Sequence, residues 1–472
     1  MSTLNKLNTF ALTLLITGSI DSVRNLPVSA IFGSSLVFFF LFAAVMFLIP
    51  TALVSAELAS NINEGGVYQW CRLAFGEKIG FLAVWLQWIN NMVWFPTFVL
   101  FIAGTATYLI NPELSQNKYL MVGMVLSIFW GLTLINLKGI QVSAKFTSIC
   151  AIVGLIIPMG LIITLLFVWL ALGNPLQIHL TSQSILPDFH HADNWIALSA
   201  IILSFAGMEL ATVHVKDVNE PQKTFPKSLA VSSIIILTTM MLGSLAIAFV
   251  VPANQINLVN GTIQSFSYFL SAYHLSFLTP VLTIMLIIGA LGGSISWIVS
   301  PVKGIAQAAG HGFLPPFFQA ENKHLVAQNL LITQAIIVSL ICLVMLLLPS
   351  VNGSYWLLST LSTELYLLMY MMMFVAAIFL RKKKNIHLNQ GFVIPGKQFG
   401  LWLVCGLGLL GCAITFFVGF IPPSNINIGS KMNYIIIFCT GMLGLILPVF
   451  GFYIYKDRTV KRELELALDE VQ

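Results

Sequence analysis

The sequence predicts an all-α polytopic membrane protein with about twelve transmembrane helices, and three observations predict it. The 472 residues are 58% hydrophobic and only 8% charged, with a mean hydropathy of +0.92, outside the range of water-soluble domains. The apolar runs are about 20 residues or longer, enough to cross about 30 Å of hydrocarbon as helix, whereas barrel strands are about half that length. With the N-terminus in the cytoplasm, every lysine and arginine falls on the cytoplasmic side except Lys118, Lys431 and the intramembrane Arg24. That sidedness is the positive-inside rule.

Taken in order, the first segment, near residues 8–32, contains the run Ile16 to Pro27, which carries Asp21 and Arg24. A charge near the bilayer centre costs at least ~2.5–3.5 kcal/mol, so both must face protein, water or a ligand. The run continues past Leu26-Pro27 without a small-residue cleavage pattern, so no cleavable signal peptide is expected. Segments near 36–59, 80–109, 119–137 and 143–172 follow. The sixth, near 194–214, is interrupted like the first, with Gly207 and Glu209 inside Leu203 to Glu209. Close helix packing would explain the glycine but not the carboxylate. Two interrupted helices five segments apart suggest a five-plus-five inverted repeat, in which unwound backbone is tolerated where it lines a cavity.

Segments near 228–251, 277–301, 328–348 and 355–380 complete the second half, and 399–421 and 432–455 stand outside the repeat. The expected organisation is one transmembrane domain over residues 1–457, with repeats about 8–172 and 194–380, extra helices about 399–455 and a short cytoplasmic tail, 458–472. Both termini are expected in the cytoplasm of a bacterial inner-membrane type of cell membrane.

Several function classes are excluded. The six cysteines show no Cys-x-x-Cys spacing, so neither a metal knuckle nor a disulfide framework is implied, and they read as packing residues. Arg381 to Lys384 reads as a lipid-headgroup anchor of the bilayer rather than a nucleic-acid patch. His190-His191, beside Asp188 and Asp193, reads as solvated loop rather than a metal site. No His-Glu-x-x-His, Gly-x-Ser-x-Gly or complete Gly-x-x-x-x-Gly-Lys-Ser/Thr pattern occurs, so the chain is not expected to be an enzyme or to need a cofactor. A channel is disfavoured because the charges cluster at interrupted helices rather than forming rings along a pore.

The run Ser35-Leu-Val-Phe-Phe-Phe, the stretch Phe47 through Pro50 to Glu57-Leu-Ala, and Glu64-Gly-Gly-Val-Tyr-Gln-Trp70 together resemble amino-acid transporters of the amino acid-polyamine-organocation superfamily. Phe205-Ala-Gly-Met-Glu209, Asn219-Glu-Pro, Phe225-Pro-Lys, Ser296 to Gly304, Phe392-Val-Ile-Pro-Gly396 and Gly419-Phe-Ile-Pro-Pro are similar to the glutamate/γ-aminobutyrate antiporter branch. The resemblance runs from about Leu7 to Asp457. It implies a LeuT-like fold of ten core helices plus two, alternating access, exchange of one amino acid for another, and a substrate site between the broken first and sixth helices. A homodimer is plausible by resemblance.

An amino acid brings a carboxylate and an ammonium into a low-dielectric cavity, so donors and acceptors must be supplied together. With the first helix breaking at Gly18 and Ser19, amides around Ile16, Thr17, Gly18 and Ser19 are the expected donors. Carbonyls near Ser204, Phe205 and Ala206 are the expected acceptors. Glu209 aligns with the gating or proton-sensitive glutamate of relatives; its rival role is a structural hydrogen bond to the unwound first helix. Arg24 either holds a substrate carboxylate bidentately or pairs with Asp21, three residues away on one helical face. Glu364 is placed to compensate Arg24. Tyr366, Tyr370 and Trp297 are split between gating and packing roles.

Two departures from the branch fall at the presumed pocket: Gly293 stands where relatives tend to carry glutamate, and Asp21 and Arg24 stand where relatives tend to have an aromatic-rich first helix. They favour a different amino acid or coupling ion. A proton-coupled symporter of other specificity and a non-transporting amino-acid sensor therefore stand as alternatives.

Overall fold

The computed structural model describes residues 7–62, 66–139, 144–188, 192–309, 312–324, 326–383 and 391–469. His190, His191, Glu64 and Lys384 lie outside the described residues. Among the described residues, eleven helices are long and apolar enough to cross a membrane. The first predicted segment is not among them because it is cut into α1 (Thr9–Ile20) and α2 (Leu26–Ala30). Counting that broken helix gives the expected twelve.

The remaining principal helices are α3 (Gly33–Asn61), the amphipathic α4 (Val67–Phe75), α5 (Glu77–Thr107), α6 (Lys118–Leu137) and α7 (Ser148–Ala171). Then come α8 (Ala197–Phe205), α9 (Pro221–Val250), α10 (Gly261–Ala272) and α11 (Thr279–Ala309). The chain closes with α12 (Gln328–Val344), α13 (Val351–Lys382), α14 (Lys397–Val418), α15 (Lys431–Ile446) and α16 (Pro448–Asp469).

Proline shapes both α3 and α7. Each contains a π turn, Ala44–Leu48 and Ile152–Ile156, ending two residues before Pro50 and Pro158. A proline ring clashes with the carbonyl four residues back and lacks an N–H, and a widened turn relieves both faults. Helices α7 and α11 cross in direct backbone contact, because an added Cβ at Gly154 or Gly289 would overlap the other's main chain. Small residues permit this approach where lipid offers no hydrophobic drive for helix association.

A row of hydroxyls fastens α1 to α9. Ser228 donates to the Thr9 carbonyl (3.0 Å), Ser232 to that of Thr13 (3.2 Å), and Thr17 to Ser232 Oγ (3.2 Å). At one end of the fold, Leu7 pairs with the segment after the sixth helix: its N–H donates to Asp217 O (2.8 Å), and its carbonyl accepts from Asn219 N–H (2.9 Å). There too, Arg381 at the end of α13 forms a bidentate ion pair with Glu57 of α3. Ile394 N–H adds a third hydrogen bond to that carboxylate, 2.8 Å.

Candidate functional site

The first break lies at Asp21 and Ser22, not at Gly18 and Ser19. Asp21 (φ −63°, ψ 133°) and Ser22 (φ −155°, ψ 119°) are extended, and Val23–Asn25 restarts the chain as a 3-10 turn. Ile16, Thr17, Gly18 and Ser19 therefore sit inside α1, where the helix uses their N–H groups. Gly18 lies on an exposed stripe with Phe10 and Leu14. The Thr17 hydroxyl is engaged by Ser232, and that of Ser19 by Leu15 O at 2.7 Å. A helical glycine costs only about 1 kcal/mol, and the contacts with α9 outweigh it.

The second break falls where the sequence placed it. Helix α8 ends at Phe205, Ala206 is extended (ψ 140°), and Leu210–Asp217 resumes as 3-10 helix. Gly207 has φ +120°, a conformation that L side chains rarely adopt. The carbonyls of Ser204, Phe205 and Ala206 receive no main-chain hydrogen bond among the described residues. The two breaks meet: a Cβ added to Gly207 would stand 3.2 Å from Ile20 Cγ1 at the end of α1.

Glu209 is buried beside this junction and is fully engaged. Tyr366 donates to its Oε1, Tyr370 to its Oε2 at 2.5 Å, and Gln87 of α5 to Oε1 at 3.4 Å. The Tyr370 oxygen in turn accepts from Gly207 N–H, 2.7 Å. Both tyrosines thus tie α13 to the second break rather than merely packing. Phe47 of α3 sets its ring edge-on to Tyr370 at 4.9 Å, and Phe40 does the same to Phe205 at 5.6 Å.

Asp21 and Arg24 do not pair with each other. They would share a face only in continuous helix, and the extended Asp21–Ser22 link separates them. Asp21 accepts from Thr239 of α9 (2.8 Å), while its other oxygen is buried without a partner among the described residues. Arg24 Nη1 donates to Thr97 of α5 (2.8 Å); the guanidinium lies 5.0 Å from the Trp94 ring and 5.8 Å from that of Phe98, and Nε has no partner among the described residues. Cation–π contacts of this kind are worth about 0.5–2 kcal/mol. Thr262 of α10 satisfies the freed Val23 carbonyl at 2.7 Å.

Trp297 of α11 stands 5.4 Å from Trp94, one ring removed from Arg24. Glu364 does not compensate Arg24: among the described residues both its carboxyl oxygens are buried without a partner. Gly293 borders open space. Sequence reasoning missed Gln87, Trp94, Thr97 and Thr239 as partners of the site. Gln87, Asn90 and Asn91 form a polar face inside an apolar segment, which was the available signal. A cavity of about 620 Å³ between α12, α13 and α15 is lined by apolar residues such as Ile337, Leu361 and Leu445 and shares no residue with the broken-helix site.

Residues 7–443 match the family described as amino acid permease. An uncharacterized transporter of Legionella pneumophila is 41% identical over 445 residues, covering 94% of this chain and 95% of that protein. The glutamate/gamma-aminobutyrate antiporter of Lactococcus lactis subsp. lactis is 29% identical, covering 96% and 91%. Among solved structures, a manganese transporter of Eremococcus coleocola superposes with a TM-score of 0.59 at 14% identity, covering 98% of this chain and 99% of that one. That likeness concerns the fold alone. The chain is a multi-pass membrane protein with a LeuT-like fold, and it belongs to the amino acid permease family of the amino acid-polyamine-organocation superfamily.

Proposed function

We propose that the protein is a secondary active amino-acid antiporter, glutamate/γ-aminobutyrate-like and proton-linked, working by alternating access in the cell membrane with both termini cytoplasmic. The observation that carries this reading is the contact of the two helix breaks at Ile20 and Gly207, with ionisable groups at each. Unwound main chain inside a membrane persists only where it is buried in protein or lines a cavity. Here it offers both signs of partial charge to a zwitterion.

The unpaired carbonyls of Ser204, Phe205 and Ala206 suit the ammonium. The start of the second half-helix, at Ser22 and Val23, supplies donors for the α-carboxylate, in place of the Ile16 to Ser19 amides that α1 uses internally. Arg24 selects a second carboxylate, as in glutamate. Glu209, held by Tyr366 and Tyr370, takes the proton-linked gating role, with Trp297 and Asp21 bordering the same region. The name of the Lactococcus lactis relative supports this substrate pair.

The test is exchange in proteoliposomes: protein loaded with labelled glutamate, a panel of unlabelled amino acids outside, and a pH series. Efflux stimulated by external γ-aminobutyrate or glutamate is expected. Flux that needs no substrate on the far side would identify a symporter or uniporter, and binding without flux a sensor.

A further inference from the structure

Glu364 lies on α13 two residues before Tyr366, which turns it about 200° away from the face that holds Glu209. It is fully buried, and neither carboxyl oxygen has a hydrogen-bond partner among the described residues. Gly419, just beyond α14, closes over it so tightly that an added Cβ would overlap the carboxyl group. A bare carboxylate in such surroundings costs far more than a neutral acid.

Its neighbours are polar and equally unspent. Ser199 of α8 lies beside the carboxyl without ordinary hydrogen-bond geometry. Tyr434 of α15 lies beside Thr360 and Trp356; the Tyr434 hydroxyl, Trp356 Nε1 and Ser359 Oγ are buried without partners among the described residues. Trp356, Thr360 and Glu364 recur every four residues on one face of α13. They form a polar stripe about 12 Å long at 1.5 Å per residue, running from the outer end of the helix to the membrane interior. Orphaned polar groups gathered in one seam are what buried water bridges.

We propose that Glu364 is a proton-binding site of its own, separate from Glu209, loaded from the outer side along the seam of Trp356, Thr360 and Tyr434 between α13 and the two extra helices. The ligand is a proton delivered through water. The groups facing it are Ser199 from α8, Cys412 from α14 and Tyr434 from α15, of which the last two are titratable and none is charged. The nearest charged pair along α13, Arg381 with Glu57, is about 25 Å further on. Because α13 carries this carboxyl on one face and the tyrosines of Glu209 on another, a shift of the helix changes the surroundings of both. The inference goes beyond the antiport reading, since it requires movement of α13 but no particular substrate.

The test varies outer pH at fixed inner pH in proteoliposomes. Wild-type flux is expected to fall about tenfold per pH unit above the site's midpoint. Glu364→Gln should flatten that outer dependence, whereas Glu209→Gln should keep it. An unchanged profile in Glu364→Gln overturns the proposal, and so does flux that follows sodium in place of pH.

Should Glu364→Gln fail to fold, Tyr434→Phe keeps the carboxyl and removes one hydroxyl of the route. Infrared spectroscopy of the wild type should show a buried carboxylic-acid band that responds to outer pH at least about fivefold faster than in Tyr434→Phe, a ratio worth about 1 kcal/mol of barrier. Equal rates overturn the route. The band is read without substrate, so it stands or falls independently of glutamate/γ-aminobutyrate exchange.

Discussion

At the scale of single residues, Glu209 illustrates how a site can be legible while its partners are not. An intramembrane carboxylate next to a glycine stands out in any sequence because its burial is costly. That two phenols and Gln87 satisfy it depends on three helices meeting, which no local pattern encodes. Glu209→Gln keeps the shape but turns two acceptor oxygens into one acceptor and one donor, so one phenol loses its partner. Exchange rates measured across an inner-pH series at fixed outer pH should then lose most of their dependence on inner pH.

Arg24 shows the opposite failure. Its spacing from Asp21 suggested a pair, yet the break between them sends one to Thr239 and the other to Thr97. Arg24→Gln is expected to weaken acidic substrates about 10- to 100-fold, the worth of a charged hydrogen bond at about 1.5–3 kcal/mol, and neutral ones far less. Competition assays with glutamate and γ-aminobutyrate check this; equal losses would mark a structural guanidinium.

At the scale of elements, the interrupted first and sixth helices were visible because glycine and charge interrupt apolar runs. The second break fell within the predicted stretch Leu203 to Glu209. The first was misplaced because intrinsic propensity at Gly18 was weighed without the hydroxyls of Ser228 and Ser232, which hold α1 in helical form up to Ile20. Gly207→Ala tests the junction itself. It imposes φ +120° on a side-chain-bearing residue, a strain of about 1–3 kcal/mol, and crowds Ile20. Transport should fall at least about tenfold while purified yield stays near wild type. Gly289→Leu should act differently, forcing α7 and α11 apart and lowering the thermal midpoint in detergent, with overpacking worth about 1–3 kcal/mol or more.

At the scale of the whole molecule, the partner of each charge was not readable from the sequence. Glu57 and Arg381 are 324 residues apart, and only the closed fold brings them together. Arg381→Gln leaves Glu57 buried and unpaired, a loss of about 3–5 kcal/mol. The double variant Glu57→Gln with Arg381→Gln should recover much of the thermal midpoint, a coupling that a mutant cycle measures.

Further round the same rim, the hydrogen bonds of Leu7 to residues 217 and 219 splice the start of the first broken helix to the end of the second. Two arms joined in this way are expected to move as one rocker, hinged at Ser22 and Gly207. Spin labels at Leu7 and Val218 should keep a single separation throughout the transport cycle, even as either arm swings against the surrounding scaffold.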